Sequence, residues 1–158
     1  MIYQSAPFPA NENERLVALR SYAILDTPPE EDFDSLTALA SQITNAPLAF
    51  ISLMDADRQW FKSRIGVTEL ETPRKIAFCA HTILQPGVFI VPDAREDWRF
   101  AGNPLVTGQL GIRFYAGVPL VTAEGLALGT LCVADREPRT LTAEQQESLR
   151  ALGRQVVA

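Results

Sequence analysis

The chain has 158 residues, of which 47% are hydrophobic and 21% charged, with a formal net charge of −5. This composition is typical of a globular domain, and the negative charge without a local basic patch excludes nucleic acid as a partner. No apolar run approaches the roughly 20 residues that span a bilayer and no secretory signal is present, so we expect a cytoplasmic domain with no membrane contact.

The N-terminal end is predicted to contain an arm and a first helix. Residues 1–12 are predicted to be a flexible arm, and residues 13–158 a single domain. Residues 13–25 favour a helix after an asparagine cap, because their apolar side chains fall on one helical stripe. The stripe consists of Leu16, Leu19, Ala23 and Ile24.

A second helix is predicted immediately afterwards. Thr27 and Glu30 have the spacing of a capping box, and Pro28 suits the first helical position, where no backbone N–H is needed. The helix is expected to end at residues 45–47. Its apolar face consists of Phe33, Leu36, Leu39, Ala40 and Ile43.

Short strands and loops are predicted in the middle of the chain. Residues 48–54 and 59–66 form a hairpin around a turn at residues 55–58, and Trp60, Lys62 and Arg64 alternate with Phe61, Ser63 and Ile65. The segments that follow are a short helix at 75–87, a strand at 88–93, and a loop with a short helix at 95–109 that forms a lid.

A second hairpin and a last helix complete the predicted elements. Residues 112–135 are two strands hinged at Glu124 and Gly125. The period of two places Ile112, Phe114, Ala116, Val118 and Leu120 on one face and Arg113, Tyr115, Gly117 and Pro119 on the other. A capping box at Thr142 and Gln145 begins the helix. The whole order indicates an α+β fold with a mainly antiparallel central sheet.

Six segments occur in order along the chain: ERLVALRSYAILDTPPEEDFDSL, ISLMDADRQWFKSRIG, FCAHTIL, VPDAREDWRFAGNPLV, FYAGVPL and LGTLCVADREPR. Together they resemble the GAF domain of the subgroup found at the N-terminus of bacterial sensor histidine kinases and diguanylate cyclases. The resemblance implies a six-stranded sheet with a helical bundle on one face and a pocket under loops and short helices on the other. It also implies a non-catalytic sensor in signal transduction, such as a two-component system, with a kinase or cyclase output domain beyond the C-terminus.

The resemblance assigns nine residues to a small-molecule site. They are Phe78, Cys79 and His81 on the short helix, Asp93, Trp98 and Asn103 around the lid, and Phe114, Tyr115 and Leu131 on the sheet. The fold does not identify the ligand, and no cofactor is predicted. Arg113 with Tyr115 could hold a carboxylate or phosphate group, or could form an edge salt bridge and a packing aromatic.

The two cysteines leave a thiol enzyme as an alternative. His81 could activate Cys79, but residues two apart on a helix point about 200° apart, which favours a buried thiol and a histidine bonded to backbone. Cys79 and Cys132 could act as a pair, as in GAF domains that reduce free methionine sulfoxide, if their Cα atoms lie within roughly 7 Å. Ala80 separates Cys79 from His81, which disfavours the covalent bilin of photoreceptor relatives.

Metal binding and dimerisation are the remaining expectations. One histidine and two cysteines fall short of the four ligands of a structural zinc site, so no metal is predicted. Leu149, Leu152 and Val156 have coiled-coil spacing, which favours a homodimer through the terminal helices, although a helix packed on its own domain would use the same residues. A dimerisation module without any ligand is a further alternative.

Overall fold

The computed structural model describes residues 2–158. The helices are α1 (Glu12–Ser21), α2 (Glu31–Thr44), α3 (Cys79–Thr82), α4 (Pro104–Thr107) and α5 (Ala143–Val157). The strands are β1 (Leu48–Met54), β2 (Arg58–Ile65), β3 (Glu71–Pro73), β4 (Phe89–Val91), β5 (Phe114–Val121) and β6 (Ala127–Asp135). They form one antiparallel sheet in the order β3-β2-β1-β6-β5-β4, which confirms the predicted fold class.

The sheet is covered on both faces. Ala49 and Ile51 of β1 pack under α2 and α5, on what we call the helix face. Phe50 and Met54 of the same strand pack on the opposite side, the lid face, beneath α3, α4 and their loops. Every residue of β1 is therefore buried, because alternate side chains of one strand enter two separate cores.

A β-bulge changes the alternation predicted for β2. The register of β1 and β2 shifts between Ile51, which pairs with Ser63, and Ser52, which pairs with Phe61. Lys62 therefore has no opposite residue on β1. The bulge lets both Lys62 and Ser63 reach the N-terminal end of α2, where Ser63 Oγ donates to Asp34 Oδ1 at 2.7 Å. The predicted separation of Lys62 from Ser63 onto opposite faces is therefore wrong.

Lys62 is a fully buried cation beneath the segment before α2. Its Nζ donates to the carbonyl oxygen of Pro28 at 2.6 Å and to Thr27 Oγ1 at 2.8 Å, and it lies 2.6 Å from a carboxylate oxygen of Glu30. Thr27 consequently accepts from Lys62 rather than capping α2, and the predicted capping box is wrong. The helix begins instead at Glu31, after an extended Glu30.

Three more features differ from the prediction. Helix α1 ends at Ser21 because Ala23 adopts a left-handed backbone conformation with φ of 52°, so Ala23 and Ile24 lie beyond it. Strand β3 was not predicted, because three residues at the edge of the sheet carry no apolar alternation. Ile112 was placed with Phe114, but it precedes β5 and packs in the lid-face core.

The N-terminal segment is bonded to the lid. The Gln4 N–H donates to the Arg99 carbonyl at 2.9 Å, the Gly102 N–H donates to the Ile2 carbonyl at 3.0 Å, and Ser5 Oγ donates to the Lys75 carbonyl at 2.8 Å. Residues 2–5 of the predicted arm are therefore hydrogen-bonded to the rest of the domain, and α1 begins at Glu12, inside the predicted arm.

Helix α5 begins as predicted. Thr142 and Gln145 form a reciprocal capping box, with hydrogen bonds of 3.1 Å and 2.9 Å. Leu149, Leu152 and Val156 pack against the helix-face core of their own sheet. These three side chains thus contribute to the core of their own domain.

A partly buried carboxylate joins α1 to the lid. Glu12 accepts from Arg15 at 2.9 Å and 3.1 Å and from Arg74 at 2.6 Å and 3.1 Å. Both guanidiniums are nearly inaccessible, with side chains 1% and 5% exposed. Burial opposes ionisation of Glu12, but the bonds to Arg15 and Arg74 prevail and lower its pKa. One carboxylate therefore neutralises two buried cations.

We expect Glu12→Gln to destabilise the fold on the order of 3 kcal/mol, because two buried guanidiniums lose their counter-charge. Urea denaturation at neutral pH measures the change. The control is Glu14→Gln, an exposed position on the same helix. Equal midpoints for the two variants would contradict the role assigned to Glu12.

Candidate functional site

The centre of the lid face holds two thiols surrounded by hydroxyl groups. Cys79 Sγ on α3 lies 3.7 Å from Cys132 Sγ on β6. Cys79 Sγ also accepts from Thr130 Oγ1 at 3.0 Å and from the Tyr115 hydroxyl at 3.2 Å. The hydroxyl network extends to Thr82 and Ser52. We call these six residues the dithiol cluster: Ser52, Cys79, Thr82, Tyr115, Thr130 and Cys132.

Strand alternation assembles the dithiol cluster. Thr130 and Cys132 are two apart on β6 and face the same side, and Ser52 on β1 lies opposite Thr130. Gly117 on β5 lies opposite Cys132. Gly117 is needed for space, since a β-carbon there would overlap the Tyr115 hydroxyl. The Tyr115 phenol therefore lies along its own strand and reaches α3.

The cluster distinguishes its two thiols electrostatically. Burial raises the pKa of Cys79, but hydrogen bonds from Cys132, Ser52, Thr130 and Tyr115 outweigh it and lower that pKa to about 7. Burial and the neighbouring Cys79 raise the pKa of Cys132 well above its ordinary value. Cys79 is therefore the thiol that ionises first, and Cys132 retains its proton.

Aromatic side chains fill the space above the cluster. The rings of Phe78 and Phe100 stack with centroids 4.1 Å apart, and Phe78 lies 5.2 Å from Tyr115. The ring centroid of Phe89 lies 6.2 Å from the ring centroids of both Phe100 and Tyr115. The resemblance implies a pocket in this region, whereas the protein's own aromatic side chains pack against one another there.

The structure brings together only some of the nine residues assigned to the site. Phe78, Cys79 and Tyr115 lie in the lid-face core. Phe114 and Leu131 do not, since they pack on the helix face beside Leu149. Their placement in a lid-face pocket is wrong, because each alternates with a lid-face residue of its own strand.

The predicted lid residues lie farther out. Asp93 pairs with Arg95 at 2.8 Å, and Trp98 is 70% exposed. Asn103 is buried, but it caps α4 through the Leu105 N–H and donates to the Ile76 carbonyl, so its polar groups are engaged in holding the lid.

Arg113 is not directed to a ligand site. Its guanidinium donates to the Val106 carbonyl at 2.8 Å and so fastens α4 to the start of β5. Neither interpretation of Arg113 holds as stated, since it bonds backbone carbonyl groups rather than a carboxylate, whereas the Tyr115 hydroxyl belongs to the dithiol cluster.

No hydrogen bond joins the side chains of Cys79 and His81. His81 Nε2 lies 3.1 Å from the Gln4 carbonyl, and its ring meets Phe100 edge-on at 4.8 Å between centroids. This confirms that the histidine bonds backbone and that Cys79 is buried.

Sequence reasoning missed Ser52, Thr82, Thr130 and Gly117. Thr130 and Gly117 carried a signal, because the period of two places Thr130 on the face of Cys132 in β6 and Gly117 on the face of Tyr115 in β5. Among residues 2–158, no group of three or more histidine, cysteine, aspartate or glutamate side chains is arranged to hold a metal ion. Over the same range, no helix combines the length and the apolar character required to cross a bilayer.

Comparison with known proteins gives a family and one clear relative. Residues 28–158 match the sequence model of the GAF domain family. The chain is 46% identical over 143 residues to a cyclic di-GMP phosphodiesterase of Pseudomonas aeruginosa, a match that covers 90% of this chain and 24% of that protein. The chain thus spans about a quarter of that relative's length.

Solved structures share the fold at low identity. The GAF domain of an Acinetobacter phosphoenolpyruvate-protein phosphotransferase is 17% identical with a TM-score of 0.64, covering 92% of this chain and 91% of that one. A type II free methionine-R-sulfoxide reductase from Thermoplasma acidophilum is 9% identical with a TM-score of 0.66, covering 88% and 92%. At these identities the likeness shows the fold alone.

We expect stability to decrease as pH falls from about 7 to about 5.5, through His81. Burial is the main cause that lowers the pKa of His81 below 6.5, and Arg99 adds to it against Gln4 and Asp97. The unfolded chain therefore takes up this proton at higher pH than the folded chain, so protonation favours unfolding. Urea midpoints across this range measure the effect.

The control for this pH dependence is His81→Gln, which removes the sequence's single histidine. Its urea midpoint should change less over the same range. An identical pH dependence in the variant would rule out His81 as the source.

Proposed function

Because the chain belongs to the GAF domain family, we propose that it is a non-catalytic regulatory domain of a cytoplasmic signalling protein. The observation that carries the proposal is a sheet whose strands enter two distinct cores. One core is covered by long helices, and the other is roofed by short helices around a polar cluster. A change on the lid face can reach the helix face through the shared strands.

The relative suggests which output the domain controls. The resemblance implied a kinase or a cyclase beyond the C-terminus, whereas the Pseudomonas aeruginosa relative is a cyclic di-GMP phosphodiesterase. We therefore propose a phosphodiesterase as the output, reached through α5. Control of this kind requires that the signal stabilise one of two arrangements more than the other.

Homodimerisation through the outer side of the long helices is part of this proposal. Leu39 and Ile43 on α2 are 43% and 38% exposed, on the side of the helix that does not pack on the sheet. This end of α2 meets the start of α5, where Gln145 Nε2 donates to the Ile43 carbonyl at 3.3 Å. Leu149, Leu152 and Val156 of α5 pack on their own sheet. Leu39 and Ile43 of α2 therefore provide the additional apolar surface that a dimer contact requires.

We expect the double substitution Leu39→Glu and Ile43→Glu to convert a dimer into a folded monomer, because two charges would be buried in the interface. Light scattering after size exclusion measures the mass. Leu70→Glu is the control, since Leu70 is 61% exposed in the loop between β2 and β3, outside α2, and should not affect assembly. A wild-type chain that is monomeric at high concentration would contradict the dimer.

A small-molecule ligand remains a separate part of the proposal. Phe78 and Phe100 occupy the space, which favours a dimerisation module without a ligand unless this stacked pair moves apart. Native mass spectrometry of the protein purified from its own cells distinguishes these cases. A retained small molecule supports the receptor, and a ligand-free dimer supports the module.

Thiol catalysis is a second candidate function, favoured by the 3.7 Å separation of the two sulfurs. Against turnover stand the burial of both thiols and the aromatic roof above them. We expect no reduction of free methionine sulfoxide in an assay with a dithiol reductant. Turnover that disappears in both Cys79→Ser and Cys132→Ser would reverse the non-catalytic assignment.

A further inference from the structure

The two thiols of the dithiol cluster are close enough to form a bond. A disulfide requires sulfurs about 2.05 Å apart, so the observed 3.7 Å must shrink by less than about 2 Å. Cys79 belongs to a helix of four residues, whereas Cys132 lies in a central strand. Because α3 is short, a small displacement of that helix could close the distance without changing the sheet.

The surroundings assign different chemical roles to the two sulfurs. Cys79 Sγ accepts hydrogen bonds from Thr130 and Tyr115, an arrangement that stabilises a thiolate. Cys132 Sγ has the Phe50 carbonyl 3.6 Å away, an acceptor that keeps the proton on that sulfur. The cluster therefore contains one nucleophile and, beside it, one thiol with a proton to release.

We propose that the dithiol cluster is a redox-modification site, in which a small hydroperoxide converts Cys79 and Cys132 into a reversible intramolecular disulfide. This inference deepens the regulatory function proposed above by naming a signal for the lid face. The chemistry of the site does not depend on the dimer or on the output domain.

The reaction balances with one hydroperoxide. The Cys79 thiolate attacks one peroxide oxygen, the O–O bond breaks, and the departing oxygen takes a proton to leave as water when the oxidant is hydrogen peroxide. Cys132 then attacks the sulfur of the resulting sulfenic acid, the S–O bond breaks, and the leaving hydroxide takes the Cys132 proton. Two thiols and one hydrogen peroxide thus give one disulfide and two waters, and an external dithiol reverses the change.

Burial makes the site selective for small oxidants. Cys79 is 1% exposed and Cys132 is 0% exposed, beneath the stacked rings of Phe78 and Phe100. Hydrogen peroxide is little larger than water, whereas bulky alkyl hydroperoxides require the aromatic pair to separate. Oxidation also removes the thiolate that accepts from Tyr115 and Thr130, so disulfide formation alters the contacts of α3 with the sheet.

The test treats the reduced chain with hydrogen peroxide after removal of the reductant. We expect the intact mass to fall by two hydrogen atoms, peptide mapping to join Cys79 to Cys132, and a dithiol to restore both thiols. Cys132→Ser should stop at a sulfenic acid on Cys79 that dimedone traps. Oxidation should be faster for hydrogen peroxide than for cumene hydroperoxide.

A second variant tests the hydroxyl groups around Cys79. We expect Thr130→Val to slow disulfide formation at neutral pH on the order of threefold to tenfold and to move the rate profile to higher pH, because the thiolate loses a donor. The exposed Thr68→Val is the matched control and should oxidise like the wild type. Circular dichroism establishes that both variants are folded.

Three outcomes would overturn the proposal: thiols that remain reduced in excess peroxide, disulfides formed only between chains, or irreversible over-oxidation without a disulfide. The Leu39→Glu and Ile43→Glu chain separates this test from that of the regulatory function. It should still form the Cys79–Cys132 bond as a monomer, so loss of the dimer and loss of the disulfide are independent results.

Discussion

Burial of the central strands on both faces is the constraint on which the rest of the structure depends. In β5 and β6, neighbouring residues enter different cores: Phe114 and Leu131 join the helix face, whereas Tyr115 and Cys132 join the lid face. A strand buried on both sides cannot slip by one residue without exchanging the two sets. The same backbone therefore fixes the positions of the dithiol cluster and of the helices that would carry an output.

Buried charges hold the peripheral segments to this sheet. Lys62 is surrounded by acceptors from the segment before α2, and Glu12 joins Arg15 on α1 to Arg74 beside the lid. Each of these groups would be costly to bury alone. Because their partners come from distant parts of the chain, they define where α1 and the lid must lie. Residues 2–5 add backbone hydrogen bonds to the same lid.

The sequence was informative where a pattern is local. It predicted the antiparallel sheet, the capping box of α5 and the alternation within β5 from Phe114 onward, because each depends on residues a few positions apart. It failed at the β2 bulge and at Thr27, because Lys62 lies 34 positions from the Pro28 carbonyl that it binds. It also could not show that Cys79 and Cys132, 53 residues apart, contact each other. The resemblance placed Phe114 and Leu131 in the pocket, although strand parity sends both to the other core.

Gly117 links the composition of one strand to the chemistry of the cluster. A β-carbon at position 117 would occupy the place of the Tyr115 hydroxyl, and Cys132 lies across from it. Side chains at positions 115 and 117 thus compete for the same space. In homologues we expect them to covary: a phenol at the first position should accompany glycine at the second, and a larger residue at the second should accompany a shorter side chain at the first. Lineages that lose the glycine would then lose the hydroxyl beside the thiol as well.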